Sequence, residues 1–236
     1  MEELLHGAGL FVCYLVPFGA LLMLLRAFFK IPDELFRKLL HFLLLGAYFP
    51  FLFGFRTWWI SAGFAGCLIL LFYPILVLAG KIPAFSSFFN ERKRGEFKSS
   101  MIYALMTMVL SISVCWGFFG DKLLTIACVY AWGVGDAFAA LVGKQFGKHK
   151  IKLPFADPRK SWEGSCAMLV TSAVSVLAVL LARGGMGFGS CLGIALVAAA
   201  VTTYVELCTK DGLDTVTCPA VAMAVILPLV RILGGG

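Results

Sequence analysis

Long apolar runs separated by short polar segments dominate the chain. Eight of these runs approach or exceed the length of about 20 residues that a helix needs to cross a bilayer. They cover residues 4–25, 39–55, 57–79, 101–119, 123–143, 164–182, 191–205 and 218–233. The second and seventh runs are short, so seven spans are the alternative to eight. The pattern predicts an all-α, polytopic integral membrane bundle that forms a single membrane domain over residues 1–236.

The composition agrees with a membrane protein. Hydrophobic residues make up 61% of the chain and charged residues 14%, whereas a soluble domain has about 45–50% apolar and about 25% charged residues. The first run has no basic stretch before it and no small-residue cleavage site after it, so we interpret it as a span. The 8 cysteines form no C-x-x-C pair and the 3 histidines are scattered, which argues against a zinc site or a disulfide framework.

Lysine and arginine are concentrated in three loops. Residues 26–38 hold four, residues 80–100 five and residues 144–163 six, while the connections between them hold one each. The positive-inside rule places these loops in the cytoplasm and the N-terminus outside. Together with residues 206–217, they form the predicted nucleotide-facing side. The net charge of +7 belongs to this face, where it suits lipid headgroups and phosphates and gives no reason to invoke nucleic acid.

The second of these loops has a pattern of its own. Residues 82–89 are apolar with small polar gaps, and residues 91–98 turn sharply polar. This pattern predicts a short helix lying in the membrane interface. Such a helix either gates the entry of a lipid or only connects two spans, and the pattern leaves both open.

Asp136 lies within an apolar stretch rich in small residues. An acid in a membrane segment is costly, so it indicates a functional site. Lys144 follows eight residues later, about 12 Å along a continuous helix, and leans back toward Asp136. We predict that Asp136 binds Mg²⁺ on a polyphosphate while Lys144 steadies the phosphate, because Mg²⁺ uses few carboxylates plus phosphate oxygens. The alternative is an acid paired with a cation only for packing.

A second candidate phosphate site opens the sixth apolar run, at Lys160-Ser161-Trp162-Glu163-Gly164. Ser161 is a natural N-cap, and the N–H groups beyond it with the helix dipole attract anions. Lys160 adds a point charge, and Lys148 belongs to a basic cluster just upstream. The alternative is an ordinary capped helix with a lysine at the membrane interface.

Two further segments carry polar candidates. Arg37 and His41 lie four residues apart and share a helix face, where they either bind phosphate or mark the membrane boundary. Glu206, Asp211 and Asp214 are the three acids of a short inner loop. One of them holds Mg²⁺ or accepts a proton from an attacking hydroxyl, unless the loop is only a solvated hairpin.

These segments together resemble the diacylglycerol/polyprenol kinase family, which includes phytol kinases, dolichol kinases and CTP-using diacylglycerol kinases. The resemblance rests on GDAFAALVGKQFGKHKI (135–151), KSWEGS (160–165), Glu206 with DGLDTVTCP (211–219), the Arg37-Lys38…His41 element and Arg94-Gly95-Glu96. It implies a polytopic enzyme that transfers the γ-phosphate of CTP, or of another nucleoside triphosphate, to a lipid alcohol with Mg²⁺. The acid-Asn pair of the family is Asp214-Thr215 here, which puts any role of that amide in doubt.

Carried over residue by residue, the resemblance implies a set of site residues. These are Asp136, Lys144, Lys160, Ser161, Glu163, Glu206 and Asp214. Phosphoryl transfer depends mainly on positioning and on neutralising charge. Asp136 with Glu206 or Asp214 would hold Mg²⁺, the lysines would take up phosphate charge, and Asp214 is our choice for the carboxylate that accepts the proton of the lipid hydroxyl.

Three questions stay open at the level of the sequence. A CTP:phosphatidate cytidylyltransferase, in which a lipid phosphate attacks the α-phosphorus, would suit GDAFAALVGKQFGKHKI and KSWEGS too, but the PGHGG…DR-x-D pattern of that family is missing. A non-catalytic transporter that uses Asp136 as an ion site is the remote alternative. The identity of the lipid acceptor is also open among phytol, farnesol, a polyprenol and diacylglycerol. The sequence is compatible with a homodimer.

Overall fold

A computed structural model of the chain describes residues 1–82, 95–151, 156–158, 160–209 and 212–234. The helices are α1 (Glu2–Phe28), α2 (Asp33–Gly46), α3 (Tyr48–Phe53), α4 (Trp58–Ala79), α5 (Glu96–Ser111), which continues as a π-helix (Ile112–Phe118), α6 (Lys122–Phe146), α7 (Trp162–Arg183), α8 (Phe188–Cys208) and α9 (Asp214–Leu233). Eight helical stretches in the described residues are long and apolar enough to cross a membrane. The predicted all-α polytopic architecture is therefore confirmed.

Two sequence predictions are not tested by the described residues. The interfacial helix predicted at 82–89 lies outside the described residues apart from Ile82, and Asp211 of the predicted inner loop lies outside them as well. The orientation with the N-terminus outside stays a prediction, because the length and composition of the helices do not show which end faces the cytoplasm.

The second apolar run is interrupted, although its pattern predicts one continuous span. Helix α2 ends at Gly46, and α3 begins at Tyr48 and contains Pro50. Proline has no N–H to donate to the carbonyl four residues earlier, which is that of Gly46, so the hydrogen-bond ladder of a single helix is broken there. The two helices together still form one stretch, Asp33–Phe53, that is long enough to span.

The described residues fall into two compact units, Met1–Ser113 and Val114–Gly236. The first unit packs around aromatic rings: the centroid of Phe11 lies 5.2 Å from that of Phe51 and 5.8 Å from that of Phe64, both in edge-on contacts. Edge-on geometry is favourable for aromatic pairs beyond the area they bury. The prediction of a single membrane domain over the whole chain stays a prediction.

Glu3 ties the start of the first unit to a helix end. One oxygen of its carboxylate accepts the N–H groups of Arg56 and Thr57 at 2.9 and 2.7 Å, and the other accepts the Thr57 hydroxyl at 3.0 Å. The first N–H groups of a helix have no intrahelical acceptor. Glu3 on α1 therefore supplies the acceptors at the beginning of α4.

The second unit contains α6, α7, α8 and α9. The half of the bundle around the start of α6 and the end of α7 is apolar, with a core that includes Cys128, Val176, Ile194 and Ile226, all fully buried. Serine hydroxyls join α7 to α6, since Ser172 donates to the carbonyl of Ala131 at 2.5 Å and Ser175 to that of Tyr130 at 3.2 Å. Such interhelical bonds are common where helices meet inside a membrane.

An ion pair closes the apolar end of the second unit. Asp121 caps α6 by accepting the N–H groups of Leu123 and Leu124. The same carboxylate receives Nε of Arg183, the last residue of α7, at 2.5 Å. The start of α6 and the end of α7 therefore lie side by side, so the two helices are antiparallel, and the end of α6 meets the start of α7 at the opposite end of the unit.

Candidate functional site

The end of the second unit opposite the Asp121–Arg183 pair is polar. It is formed by the last turns of α6 and α8 and the first turns of α7 and α9. Eight of the predicted site residues belong to these elements or lie next to them: Asp136, Lys144, Lys148, Lys160, Ser161, Glu163, Glu206 and Asp214. Residues that are far apart in the sequence therefore lie at one end of a single unit.

Glycines allow α6 and α7 to cross closely at this end. A Cβ atom added to Gly164 would lie 2.8 Å from the carbonyl oxygen of Ala139 and 3.3 Å from Cα of Gly143. Any side chain at Gly164 would therefore press against the backbone of α6. The small surface that the sequence predicts on α6 is used for helix packing.

Three carboxylates gather at this end. Glu206, on the last turn of α8, is only 8% exposed. Asp136 on α6 and Asp214, the first residue of α9, both lie close enough for their charges to act on the Glu206 carboxylate. The same three acids act on the buried thiol of Cys218. The structure therefore brings together all three residues that the sequence nominates as catalytic.

Lys160 contacts the acid cluster (Asp136, Glu206 and Asp214) through Glu206. Its Nζ lies 2.9 Å from Oε1 of Glu206 and 3.2 Å from the carbonyl oxygen of Thr209, and it also contacts the carbonyl of Glu206. The carbonyls that end a helix carry partial negative charge, which a cation satisfies. Lys160 thus compensates Glu206 and caps α8, contacts that the sequence alone does not indicate.

Trp132 is a member of the site that sequence reasoning missed. Its indole Nε1 donates to Oδ2 of Asp214 at 3.3 Å. The only signal in the sequence is its position four residues before Asp136, which puts the two side chains on one face of α6. A tryptophan in an apolar span is otherwise typical of core packing.

The acid cluster has the oxygen ligands that Mg²⁺ prefers, and Mg²⁺ binding there stays a prediction. Among the described residues, no group of three or more His, Cys, Asp or Glu side chains is arranged to hold a metal by itself. Mg²⁺ typically takes one or two carboxylates and completes its octahedron with water and phosphate oxygens. Asp136 with Glu206 or Asp214 is a donor set of that kind, since hard oxygen ligands suit this cation.

The start of α7 has the predicted N-cap. Ser161 precedes the helix, and its hydroxyl accepts the N–H of Gly164 at 3.2 Å. The N–H of Trp162 donates to the carbonyl of His149 at 3.0 Å, and that of Ser165 to the carbonyl of Ser161 at 3.0 Å. Protein acceptors therefore already occupy the N–H groups of Trp162 and Gly164, two of those that an anion at the start of α7 would use. A phosphate role for Ser161 stays a prediction, and it would require these contacts to rearrange.

Glu163 organises the loop that follows α6. Its carboxylate accepts the N–H groups of Lys148 and His149 at 3.2 and 3.1 Å, and its Oε1 lies 2.7 Å from Nδ1 of His149. The loop is also held by an isolated antiparallel bridge between Lys150 and Ser161. An acid does not attract phosphate directly, so these contacts support a role for Glu163 in shaping the loop.

Lys144 and Lys148 present exposed ammonium groups at this end. Neither side chain forms an ion pair with an acid in the part of the chain that the structure describes. Both remain available to a polyanion that approaches from solvent. Lys144 lies at the last turn of α6, where the helix dipole also favours a cation.

Arg37 and His41 belong to the first unit. The guanidinium of Arg37 lies 3.7 Å from Glu34 on its own helix and 3.4 Å from Glu96 at the start of α5. Two segments of the family resemblance, around Arg37 and Glu96, therefore meet within this unit. Arg37 is committed to protein carboxylates, and the proposed phosphate role of Arg37 and His41 stays a prediction.

Similar proteins give independent information. The family described as the cytidylyltransferase family matches residues 4–235. The chain is 29% identical to the phytol kinase of Synechocystis sp. over 90% of this chain and 87% of that protein. It is 27% identical to a probable chloroplastic phytol kinase of Triticum aestivum (69% of this chain, 54% of that protein) and 26% identical to the chloroplastic phytol kinase 1 of Arabidopsis thaliana (90% and 73%). No solved structure matches the chain.

These matches agree with the resemblance to the polyprenol and phytol kinases that the motifs indicate. They extend it beyond the motifs, since the match to the cyanobacterial protein covers 222 residues. The wheat protein is matched over only about half of its own length.

Proposed function

We propose that the chain, which belongs to the cytidylyltransferase family and is similar to phytol kinases, is a membrane enzyme that transfers the γ-phosphate of a nucleoside triphosphate to a lipid alcohol. The donor is CTP or another nucleoside triphosphate. The acceptor is an isoprenoid alcohol such as phytol, farnesol or a polyprenol, or diacylglycerol. The curated relatives named above are phytol kinases, which favours the isoprenoid alcohols.

One observation carries this proposal: at the polar end of a membrane bundle, Asp136 and Asp214 lie close enough to Glu206 for their charges to act on it, and Lys160 forms an ion pair with Glu206. A phosphoryl transfer needs charge neutralisation and positioning more than covalent chemistry. A cluster of this kind lies where a water-soluble nucleotide and a membrane alcohol can meet. A transporter would not need the Lys160-Ser161 helix start or the concentration of acids at this end.

The residues take the following roles. Asp136 with Glu206 or Asp214 holds Mg²⁺, which when bound supplies positive charge to the polyphosphate. Lys144 and Lys148 bind the phosphates from the solvent side, and Lys160 adds charge at the acid cluster. Glu163 holds the loop that carries Lys148. Ser161 caps α7. The phosphate role of Arg37 and His41, which belong to the first unit, is a separate prediction.

The chemical step requires a base. Asp214 accepts the proton of the lipid hydroxyl while the hydroxyl oxygen forms a bond to the γ-phosphorus. The bond between the γ-phosphorus and the bridging oxygen breaks, and the nucleoside diphosphate leaves with the electron pair. Asp214 then returns the proton to solvent.

The active site faces the cytoplasm in this proposal. Six of the lysines and arginines lie in residues 144–163, the loop that joins α6 to α7 at the polar end. Such loops remain on the cytoplasmic side. Cytoplasmic nucleotide and Mg²⁺ would then reach the acid cluster directly.

A second candidate is a CTP:phosphatidate cytidylyltransferase. The description of the matched family favours it. In that reaction a lipid phosphate oxygen attacks the α-phosphorus, and pyrophosphate leaves. The same acids and lysines would neutralise the triphosphate, so the position of the attacked phosphorus is what separates the two reactions.

A radiolabel transfer assay on the purified protein in detergent tests both candidates. It uses γ-labelled and α-labelled CTP in parallel, with Mg²⁺ and with phytol, farnesol, undecaprenol, diacylglycerol or phosphatidic acid. Label moving from the γ position to an alcohol supports the kinase and identifies its acceptor class. Label moving only from the α position to phosphatidic acid contradicts it and supports the cytidylyltransferase.

A pair of acid variants makes the assay specific to the site. Asp136→Asn should lose transfer, while Asp33→Asn should retain it, because Asp33 belongs to the first unit and is half exposed in a surface pair with Arg26. Equal activity in the two variants would contradict the placement of the site in the second unit.

A further inference from the structure

Trp132 links two helices of the candidate site. Its ring is 5% exposed and belongs to α6. Its Nε1 reaches Oδ2 of Asp214, the first residue of α9, at 3.3 Å. The indole N–H is a donor only, so it always presents a hydrogen to a carboxylate oxygen.

The surroundings of the ring keep it in place. Trp132 packs against Met168 of α7 and Cys218 of α9, both fully buried. Close-packed interiors leave a large ring little freedom to change its rotamer. The apolar part of the Trp132 ring therefore packs against the core, while its N–H points toward the acid cluster.

Asp214 is in a position where such a donor matters. It begins α9 directly after Leu213, whose apolar side chain cannot cap the helix. A carboxylate rotates about its Cβ–Cγ bond, so a donor on Oδ2 restricts the directions in which Oδ1 can point. Trp132 lies one helical turn before Asp136, so the face of α6 that carries Asp136 also supplies the donor to Asp214.

We propose that Trp132 is a positioning residue of the phosphoryl transfer: its indole N–H holds the carboxylate of Asp214 in the orientation in which it accepts the proton of the lipid hydroxyl. This inference rests on the proposed function, in which Asp214 is the base. Trp132 itself touches neither the nucleotide nor the alcohol in this role, and acts only through Asp214.

The test removes the N–H and keeps the ring. In Trp132→Phe, kcat for the lipid alcohol should fall about tenfold to a hundredfold, the loss expected for a hydrogen bond to a charged group. The KM for CTP should stay within about twofold of the wild type, because the lysines that bind the phosphates are unchanged. A merely structural role would lower thermal stability without this division between kcat and KM.

A second variant guards against misfolding. Incorporation of 3-benzothienylalanine at position 132 keeps the size and shape of indole but replaces the N–H with sulfur. It should fold like the wild type and show the same loss of kcat as Trp132→Phe. The matched control is Trp59→Phe, a 61% exposed tryptophan of the first unit, which should change neither constant.

The outcomes separate this inference from the proposed function. If the wild-type protein transfers no γ-phosphate to any alcohol, the proposed function fails. If the wild type is active and the benzothienylalanine protein keeps full kcat, the inference about Trp132 fails while the function stands. A rise in the KM for CTP with unchanged kcat would also overturn it, because it would place Trp132 in nucleotide binding.

Discussion

The ammonium of Lys160 lies 2.9 Å from Oε1 of Glu206, although the two residues are 46 positions apart in the chain. Both side chains are largely shielded from solvent, and Lys160 also contacts the carbonyls that end α8. A buried ion pair is costly to break, because the remaining charge has no compensation. The KSWEGS segment is thereby tied to the acid cluster.

We expect Lys160→Met to destabilise the protein by about 3 kcal/mol and to abolish phosphoryl transfer. Thermal unfolding in detergent, followed by circular dichroism, measures the first effect. The double variant Lys160→Met/Glu206→Leu should recover much of the stability without recovering activity, since it removes the uncompensated charge. A single variant as stable as the wild type would contradict the ion pair.

Asp136→Asn should lower kcat about a hundredfold or more while leaving the protein folded. The amide keeps the size of the side chain but removes the charge that the proposed Mg²⁺ requires. Binding of Mn²⁺, measured by electron paramagnetic resonance in the presence of CTP, should weaken in parallel. Unchanged Mn²⁺ binding would show that Asp136 does not hold the metal.

Glu163→Gln should raise the KM for CTP about fivefold to tenfold and change kcat little. Gln keeps an acceptor for one N–H but loses the negative charge that strengthens the hydrogen bonds to the N–H groups of Lys148 and His149. Hydrogen exchange should become faster at the amides of these two residues. Glu2→Gln, at an exposed position at the start of α1, is the control and should leave both measurements unchanged.

Gly164→Ala should destabilise the second unit by about 1–3 kcal/mol, because the new methyl group meets the carbonyl of Ala139 at 2.8 Å. Gly193→Ala is the matched control on α8, where an added Cβ meets open space. Thermal midpoints of the two variants should therefore differ. Equal midpoints would mean that α6 and α7 do not cross closely at Gly164.

The sequence predicts the spans better than it predicts their ends or breaks. Each apolar run corresponds to one of the eight helical stretches, because burial of the backbone in lipid permits little else. The interruption at Ala47 follows from Pro50, whose effect is invisible to a count of apolar residues. The π-helix at Ile112–Phe118 has no marker in composition at all.

For the candidate site, residue type was predictable and pairing was not. Asp136, Glu206 and Asp214 could be nominated because acids near a membrane segment are expensive. Their partners could not, since Lys160 was expected to face phosphate and nothing in the sequence marked Trp132 as a neighbour of Asp214. Partnerships of this kind depend on how α6, α8 and α9 are arranged around one another, which local patterns do not contain.

The three acids of the cluster lie on three different helices, α6, α8 and α9. No single segment of the chain therefore carries the chemistry, and a peptide or an isolated helix pair cannot reproduce it. A detergent that disrupts the packing of the helices in the second unit would abolish activity even though each helix stays folded. Catalytic rate, more than helical content, is accordingly the sensitive reporter of whether a preparation has kept its native assembly.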